Sequence, residues 1–334
     1  MKRAGNLYSL ISEYENLCLA YKKAVRAKIC KQEVQIFRKN FHANIQKIRN
    51  QLISKNFDIG HYYSFKVYDP KPRQIYAASF PERVLHHAIM NVCEPILDSY
   101  AIYDTYACRK KKGRQKAVIK AQSFIEKFSW YLKLDISKYF NSIDHKIVMS
   151  LLSRKIKDKN VLFLFQKIID TYHTETGKGI PIGNLISQHL ANFYLGSFDH
   201  WIKGKRKIKG YVRYMDDFLV FGNEKSYIKN ELNEIKLFIK QNLKLKLKDN
   251  VQLNHTSHGI PFLGYRIFPK FTRLLPRSKK RFIIKFKKYE MNFANGNWTE
   301  KTLVRHMEPL IEFTKMANAA QFRRNVIERL GVLS

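Results

Sequence analysis

The chain has 334 residues, of which 45% are hydrophobic and 13% aromatic, as expected for a folded protein with a substantial core. Lys and Arg outnumber Asp and Glu by 62 to 27, so the formal net charge is +35. This charge favours a nucleic-acid partner, with a membrane surface as the competing interpretation. The sequence shows no run that would span a bilayer and no signal peptide at MKRAGNLYSLISEYENL, which predicts a cytoplasmic location.

Cysteine spacing predicts reduced thiols rather than a disulfide framework. The cysteines at 18, 30, 93 and 108 have no paired short spacing. A zinc site that uses Cys93, Cys108 and His86 or His87 is the less favoured alternative, because zinc ligands normally occur in close pairs.

The first half of the chain shows helices, then a hairpin. Apolar residues at helical spacing predict helices over residues 1–58, with Lys and Arg between them. The segment YYSFKVYDPKPRQIYAAS predicts a strand, a turn and a return strand. A helix is predicted to begin near Pro81, followed by the basic loop CRKKKGRQKA and a further helix.

The second half alternates short strands and helices. A strand is predicted in WYLKLD, helix over residues 144–170, a Gly/Pro loop in GKGIPIGN and a helix in LISQHLANFYLGSFDHWI. The segment YVRYMDDFLVFG predicts a hairpin, followed by an amphipathic helix near 224–242 and a strand pair in FLGYRIFP. Basic helices are predicted from about residue 277, where SKKRFIIKFKKYE has one apolar stripe.

Three carboxylates are candidates for a metal site. Alternation along WYLKLD places Tyr131, Lys133 and Asp135 on one face of a strand, with the acid at its end. Asp216 and Asp217 lie at the tip of the predicted hairpin, where paired carboxylates need a positive partner. If the two strands are neighbours, the carboxylates converge and could bind Mg²⁺, which prefers oxygen ligands. Two such ions roughly 3.5–4 Å apart catalyse nucleotidyl transfer.

Each acidic signal also has an ordinary explanation. A pair of aspartates in a turn is usually solvated, and an aspartate that ends a strand often caps the next helix. The interpretation as a metal site therefore depends on the combination of signals and on the surrounding motifs.

Those motifs resemble the reverse transcriptases. RYMDD, preceded by LKLDISKYF, is similar to their YxDD box and upstream acidic strand. PKPRQIYAASFPERVLHHAI resembles the fingers segment, GIPIGNLISQHLANFYL the box before the catalytic hairpin, and GIPFLGYRIF the primer grip. The five elements occur in the family's order over nearly the whole chain. The resemblance implies RNA-directed DNA synthesis from a 3′-hydroxyl primer with Mg²⁺ and dNTPs.

A narrower resemblance is to the reverse transcriptases of diversity-generating retroelements. Ser187-Gln188 stands where many group II intron relatives have Ser-Pro, and IPIGN, YDPKPR and YACR are similar to the retroelement enzymes. This resemblance implies a template-repeat RNA, errors at adenines, diversification of a target gene and a small basic accessory variability protein as partner. A defence-associated or retron enzyme is the alternative, and an inactive basic RNA-binding protein is the alternative from another class.

The resemblance also assigns roles to single residues. It implies metal contacts for Asp135 and Asp216, a supporting role for Asp217 and a backbone ligand from Ile136. It makes Phe140 the aromatic residue that excludes a 2′-hydroxyl, although a core phenylalanine beside Tyr139 is the alternative. It also implies dNTP binding by Lys71, Arg73 and Gln188, and an effect on fidelity for Arg73 and Ile182.

The dNTP-binding residues have ordinary alternatives as well. Lys71 and Arg73 suit a triphosphate, since Arg offers a planar fork and Lys a point charge, but a solvated basic turn has the same composition. Gln188 is equally compatible with a surface position on a helix. The primer grip is assigned to Phe262, Leu263, Gly264 and Tyr265, with core packing as the alternative for the two aromatics.

Two basic segments are predicted to contact the nucleic-acid duplex, although lysine-rich stretches are often solvated faces. The residues concerned are Arg109, Lys110, Lys111, Lys112 and Arg114 in the first segment, and Lys279, Lys280 and Arg281 in the second.

One departure from the family concerns proton donation to pyrophosphate. Val251 stands where related enzymes often have a lysine. Lys246, Lys248 or water remain as open alternatives.

The expected fold is α+β, a right-hand polymerase with fingers, a palm with an antiparallel sheet and a helical thumb. The predicted boundaries are a helical N-terminal extension over 1–58, fingers over 59–130, palm over 131–275 with fingers-contributing helices near 145–180, and thumb over 276–334.

Overall fold

A computed structural model describes residues 3–68 and 72–331. The chain forms two compact units, each made of three segments. The first unit comprises Met1–Arg109, Asp135–Lys207 and Asn233–Asp249, and the second comprises Lys110–Leu134, Ile208–Leu232 and Asn250–Ser334. Lys71, predicted to bind dNTP, lies outside the described residues.

The described residues are rich in helix. In chain order the α-helices are α1 (Tyr8–Ser12), α2 (Tyr14–Ala24), α3 (Gln32–Lys39), α4 (Phe41–Ser54), α5 (Phe80–Tyr100), α6 (Arg114–Ile125), α7 (His145–Ser153), α8 (Lys159–Asp170), α9 (Leu185–Tyr194), α10 (Gly196–His200), α11 (Lys225–Leu243), α12 (Pro276–Ala294), α13 (Glu300–Lys315) and α14 (Ala320–Leu330).

The strands of the described residues form three sheets. They are β1 (Tyr62–Tyr68), β2 (Pro72–Ala78), β3 (Trp130–Asp135), β4 (Gly210–Tyr214), β5 (Asp217–Gly222), β6 (Gln252–His255), β7 (Ile260–Phe262), β8 (Tyr265–Ile267) and β9 (Thr272–Leu274). The strand orders are β1-β2, β4-β5-β3-β6 and β7-β8-β9. The pairs β1/β2, β3/β6, β4/β5, β7/β8 and β8/β9 are antiparallel, as the predicted α+β class requires.

The core of the first unit surrounds the long helix α5. This helix packs against α2 and α9, and its apolar face is fully buried at Val84, Ala88 and Ile89. The ring of Phe80 lies edge-on to those of Tyr21 and Phe37 at the start of the helix. The N-terminal helices are therefore part of the hydrophobic core of this unit.

The helical region predicted over residues 144–170 consists of two helices. α7 ends at Ser153, and α8 begins after Asp158, whose carboxylate accepts hydrogen bonds from the backbone N–H groups of Asn160 and Val161. The same carboxylate accepts from the N–H groups of Leu7 and Tyr8 at 2.8 and 2.9 Å. A side chain that caps one helix cannot lie within a longer one, and here it also anchors the N-terminal segment.

The second unit is built on the sheet β4-β5-β3-β6. The hairpin strands β4 and β5 are buried on both faces, as Tyr211, Val212, Leu219 and Val220 show. Helix α6 packs against this hairpin. Burial on both faces explains why the hairpin sequence is apolar almost throughout.

The C-terminal part of the second unit has its own small core. The sequence predicted a strand pair around FLGYRIFP, but β9 adds a third strand. The three C-terminal helices α12, α13 and α14 pack around Phe282, Phe286, Leu303, Met307 and Val326. Phe282 and Phe286 belong to the predicted apolar stripe of α12, so the amphipathic pattern located this face correctly.

Candidate nucleotidyl-transfer site

The carboxylates Asp216 and Asp217 lie at a tight turn. Tyr214 and Asp217 are paired residues of β4 and β5, so Met215 and Asp216 alone form the turn. Met215 has a positive φ of 57°, an uncommon conformation for a residue with a side chain. The fully buried Arg213 donates from Nη1 to the carbonyl oxygen of Met215 at 2.9 Å, which holds the turn. Sequence reasoning missed Arg213, although a charged residue inside an apolar strand is a signal of such a role.

Lys133 is a positive partner of the paired aspartates. Its Nζ lies 3.5 Å from Oδ2 of Asp217 and donates to the carbonyl oxygen of Pro261 at 2.8 Å. The contact follows from the sheet order, in which β3 is the neighbour of β5. Lys133 therefore connects the YMDD turn to strand β7. The sequence placed Lys133 on the polar face of β3 but gave it no role.

Asp135 is the last residue of β3, as predicted from strand alternation. Its Oδ2 accepts from Nζ of Lys248, and its carbonyl oxygen accepts from the N–H of Lys248 at 2.8 Å. A second backbone bond, from the N–H of Ser137 to the carbonyl of Lys246, and a bridge between Ile136 and Leu247 complete this pairing. Of the two lysines considered for proton donation, Lys248 is the one beside the acidic residue.

The second carboxylate oxygen of Asp135 fits a hard cation. Oδ1 is buried and has no hydrogen-bond partner among the described residues. A buried carboxylate oxygen without a donor is unfavourable, and a Mg²⁺ ion would satisfy it. Among residues 3–68 and 72–331, no group of three or more His, Cys, Asp or Glu side chains is arranged to hold a metal ion, so neither the zinc alternative nor a three-carboxylate cluster is found there. The two-metal site remains a prediction.

Phe140 presents its ring beside the buried Tyr139. Both lie in a 3-10 helix, Tyr139–Ser142, that follows Asp135. The Tyr139 hydroxyl donates to the carbonyl of Ala191, whereas Phe140 is half-buried and its carbonyl accepts from the N–H of Ile180 at 2.9 Å. Tyr139 thus takes the core position, and Phe140 stays half-buried, so its exclusion of a 2′-hydroxyl remains a prediction.

The IPIGN loop is hydrogen-bonded to the strand that contains Arg73. Tyr76 N–H donates to the carbonyl of Ile182 at 2.8 Å, and Ala78 N–H donates to the side-chain oxygen of Asn184 at 3.2 Å. Gly183 has φ +117°, and a Cβ there would lie 2.6 Å from Ile75 Cγ2, so only glycine allows this approach. The structure brings Ile182 to strand β2.

The other two dNTP-site residues are accessible. Arg73 is exposed on β2, opposite Val67. Gln188 is exposed on α9, where its Oε1 lies 3.8 Å from the Cys108 thiol. Their exposure is compatible both with contact to a nucleotide and with the surface alternatives.

The aromatic residues of the predicted primer grip are core residues. Phe262 and Tyr265 are fully buried, and the Tyr265 hydroxyl donates to the carbonyl of Phe313 at 2.6 Å. Burial raises the pKa of Tyr265 to about 12. These rings therefore pack in the core, which is the alternative to stacking on a primer. Leu263 and Gly264, with φ of 50° and 95°, form the β7–β8 turn, and the Gly264 carbonyl accepts from the Ser278 hydroxyl at 2.7 Å.

Arg109 has an intramolecular role in place of the predicted phosphate contact. Its guanidinium binds Oδ1 of Asp98 at 2.6 Å and the carbonyls of Ile102 and Thr105 at 2.6 and 3.1 Å. Its side chain is only 12% exposed. Arg109 therefore organises the loop after α5.

The other predicted duplex-binding residues are largely exposed. Lys110, Lys111 and Arg114 are exposed and Lys112 is half-buried, while Lys279, Lys280 and Arg281 are exposed on α12. The Arg114 guanidinium lies 5.1 Å from the Phe313 ring centroid, and the Lys279 Nζ lies 5.5 Å from that of Phe322.

Comparison with known proteins places the chain in a family. A family model described as reverse transcriptase (RNA-dependent DNA polymerase) matches residues 68–267, more than half of the chain. The chain belongs to the reverse transcriptase family. The match includes β3, the YMDD turn and the IPIGN loop, and it confirms the predicted enzyme class, RNA-directed DNA polymerase.

Relatives of this reverse transcriptase include proteins of group II introns. It is 25% identical over 281 residues to protein YkfC of Escherichia coli, with 69% of this chain and 72% of that protein covered. It is 24% identical over 290 residues to the group II intron-encoded protein LtrA of Lactococcus lactis, with 65% of this chain and 48% of that protein covered. The chain thus spans about half of LtrA's length.

A solved structure shows the same fold at low sequence identity. The apo telomerase of Candida tropicalis aligns with a TM-score of 0.50 and 10% identity, covering 80% of this chain and 59% of that chain. This likeness confirms the predicted polymerase fold. In the described part of the chain, no helix is long and apolar enough to cross a membrane.

Proposed function

We propose that the chain copies RNA into DNA from a 3′-hydroxyl primer at a site formed by Asp135, Asp216 and Asp217. The observation that carries this proposal is the buried, donor-free Oδ1 of Asp135 at the end of β3. Strand β5, the neighbour of β3, begins at Asp217, directly after the turn residues Met215 and Asp216. A strand end and a turn tip that both present carboxylates suit divalent-metal chemistry on phosphates.

Asp135, Asp216 and Asp217, with the backbone carbonyl of Ile136, would hold two Mg²⁺ ions. When bound, these ions lower the pKa of the attacking 3′-hydroxyl and neutralise charge on the leaving pyrophosphate. Lys133 fixes the carboxylate of Asp217 through the 3.5 Å ion pair.

Five other residues would act on the substrate. Lys248, which contacts Asp135, is placed to donate a proton to the leaving pyrophosphate. The Phe140 ring excludes a 2′-hydroxyl and so selects dNTPs. Arg73, with Lys71, contacts the triphosphate, and Gln188 lies near the incoming base.

The narrower function we propose is mutagenic cDNA synthesis in a diversity-generating retroelement. The support is the Ser187-Gln188 pair and the hydrogen-bonded connection between Ile182 and the strand of Arg73. Because these two fidelity residues belong to one local structure, a substitution of either would alter the position of the other. The partners would be a template-repeat RNA, the RNA/DNA duplex on the exposed basic residues, and a small basic accessory protein, in the cytoplasm.

The domain division we propose follows the predicted boundaries. Residues 1–58 form the N-terminal extension, 59–130 the fingers, 131–275 the palm and 276–334 the thumb. The self-contained core of α12, α13 and α14 supports the thumb assignment.

The test is sequencing of the cDNA made by the purified protein, with and without its co-expressed neighbouring RNA and accessory protein. We expect errors concentrated opposite template adenines, and a selective change in that bias in Ile182→Asn and Arg73→Ala. cDNA without an adenine bias in the wild type would refute the retroelement assignment and favour a retron or defence enzyme. Absence of any cDNA would refute the polymerase assignment.

A further inference from the structure

Half of the residues that line a cavity in the first unit are lysines. The cavity has a volume of about 320 Å³, within the range of small-molecule sites. Its lining consists of Asn141, Ser142, Glu175, Lys178, Lys240, Lys244, Leu245 and Lys246. Four lysines and one glutamate leave a formal charge of +3. We call it the lysine cavity.

Lys240, Lys244 and Lys246 lie close together in the chain, and Lys178 comes from a distant loop. Lys240 lies in the last turn of α11 and Lys244 follows its end, where cations are favoured by the helix dipole. That effect does not explain Lys178, which comes from the loop before IPIGN, or Lys246, which comes from the segment paired with Ser137. Ammonium groups gathered at one cavity repel one another, and an anion among them would offset this repulsion.

Internal carboxylates neutralise only half of these lysines. Lys178 pairs with Glu175 at 3.1 Å, and Lys244 pairs with Asp144 at 3.0 Å. Lys240 and Lys246 are exposed and have no ion-pair partner among the described residues. Two unneutralised ammonium groups are thus available to an external anion in a cavity too small for a nucleic-acid duplex.

The lysine cavity adjoins the segment that carries Asp135. The carbonyl of Lys246 accepts from Ser137 N–H at 2.8 Å, and two residues further on Lys248 contacts Asp135. On the other side, Asn141 directly follows Phe140. The cavity lining thus includes residues within two positions of Phe140 and of Lys248 in the chain.

We propose that the lysine cavity binds inorganic pyrophosphate, the product of the reaction, as it leaves the site. This inference rests on the proposed function, since nucleotidyl transfer releases one pyrophosphate for each nucleotide added. Pyrophosphate matches the cavity in size and in charge. Lys240 and Lys246 would supply charge-assisted hydrogen bonds to its oxygens.

The experiment is calorimetric titration of the full chain with inorganic pyrophosphate in metal-free buffer. The double variant Lys240→Gln/Lys246→Gln is expected to bind about tenfold more weakly than wild type, as loss of two exposed charge-assisted contacts implies. The control Lys229→Gln/Lys236→Gln removes the same charge from exposed positions of α11 and is expected to bind like wild type. Unfolding midpoints in urea show that both variants are folded.

Two results would overturn the proposal. One is equal pyrophosphate affinity in wild type and the Lys240→Gln/Lys246→Gln variant. The other is displacement of pyrophosphate by a single-stranded oligonucleotide that binds more tightly. This result would show that the cavity contacts the phosphate backbone of a nucleic acid. Because this titration needs neither metal nor template, a protein that binds pyrophosphate but makes no cDNA would refute the proposed function alone. In primer extension, the same variant is expected to need about tenfold more pyrophosphate for half-inhibition.

Discussion

Replacing Lys133 with methionine removes an ammonium group that contacts both Asp217 and Pro261. The ion pair is 3.5 Å long, and the two side chains are 16% and 23% exposed, so it is only partly screened by water. Charge-assisted hydrogen bonds of this kind contribute about 1.5–3 kcal/mol. We therefore expect Lys133→Met to lower the free energy of unfolding by about 2 kcal/mol, measured in urea.

Activity should fall as well, because Asp217 loses the group that orients it. A loss of about 1.4 kcal/mol in transition-state stabilisation lowers kcat/KM for dNTP incorporation about tenfold. Lys133→Arg keeps the charge and should recover part of both effects, and Lys229→Met, at an exposed position on α11, should match wild type. Unchanged stability together with unchanged kcat/KM in Lys133→Met would refute the role given to this residue.

Three further predictions concern separate parts of the chain. Phe140→Ala should raise rNTP incorporation relative to dNTP incorporation at least tenfold, because the ring that clashes with a 2′-hydroxyl is removed. An unchanged ratio in single-nucleotide kinetics would assign Phe140 to packing. Lys248→Met should lower kcat and should also lower the Mg²⁺ concentration for half-activity about two- to fivefold. The reason is that the partly exposed ion pair, worth about 0.5–1 kcal/mol, no longer competes with Mg²⁺ for the carboxylate of Asp135. A higher Mg²⁺ requirement would contradict this. Burial alone raises the pKa of Asp158, but hydrogen bonds from the N–H groups of Tyr8, Leu7, Val161 and Asn160 outweigh it, and the pKa is lowered. The stability that the ionised Asp158 gives to the fold is therefore present above pH about 4 and is lost as the pH falls further. The acid loss of stability in urea titrations at pH 7 and pH 3 should therefore be smaller in Asp158→Asn, and an equal loss would exclude Asp158 as its source.

Local patterns in the sequence predicted the framework of the site. Strand alternation placed Asp135 at the end of β3 with Leu132 and Leu134 buried, and the apolar runs around Met215-Asp216 predicted the hairpin. These features depend on neighbouring residues, so a short window contains the information. The polar composition of this face did not predict the burial of Tyr131, which lies on the same face as Lys133.

The partners of the carboxylates were not predictable in this way. Lys248 reaches Asp135 across 113 residues, through backbone pairing of 246–248 with 135–137 that no local pattern indicates. The contacts of Arg109 were also not predicted, because its guanidinium binds Asp98 and two carbonyl groups of the loop after α5. Charge alone predicted a phosphate contact there, whereas burial of the guanidinium gives it a structural role.

In the proposed mechanism, the acidic residues bind the metal ions at the growing end of the DNA. Its most direct test is single-nucleotide incorporation on an RNA template by wild type and by Asp216→Asn, which differs by one oxygen-to-nitrogen replacement, with RNA binding measured in parallel. We expect Asp216→Asn to abolish incorporation while the affinity for RNA is nearly unchanged. Equal incorporation by the two proteins would contradict it.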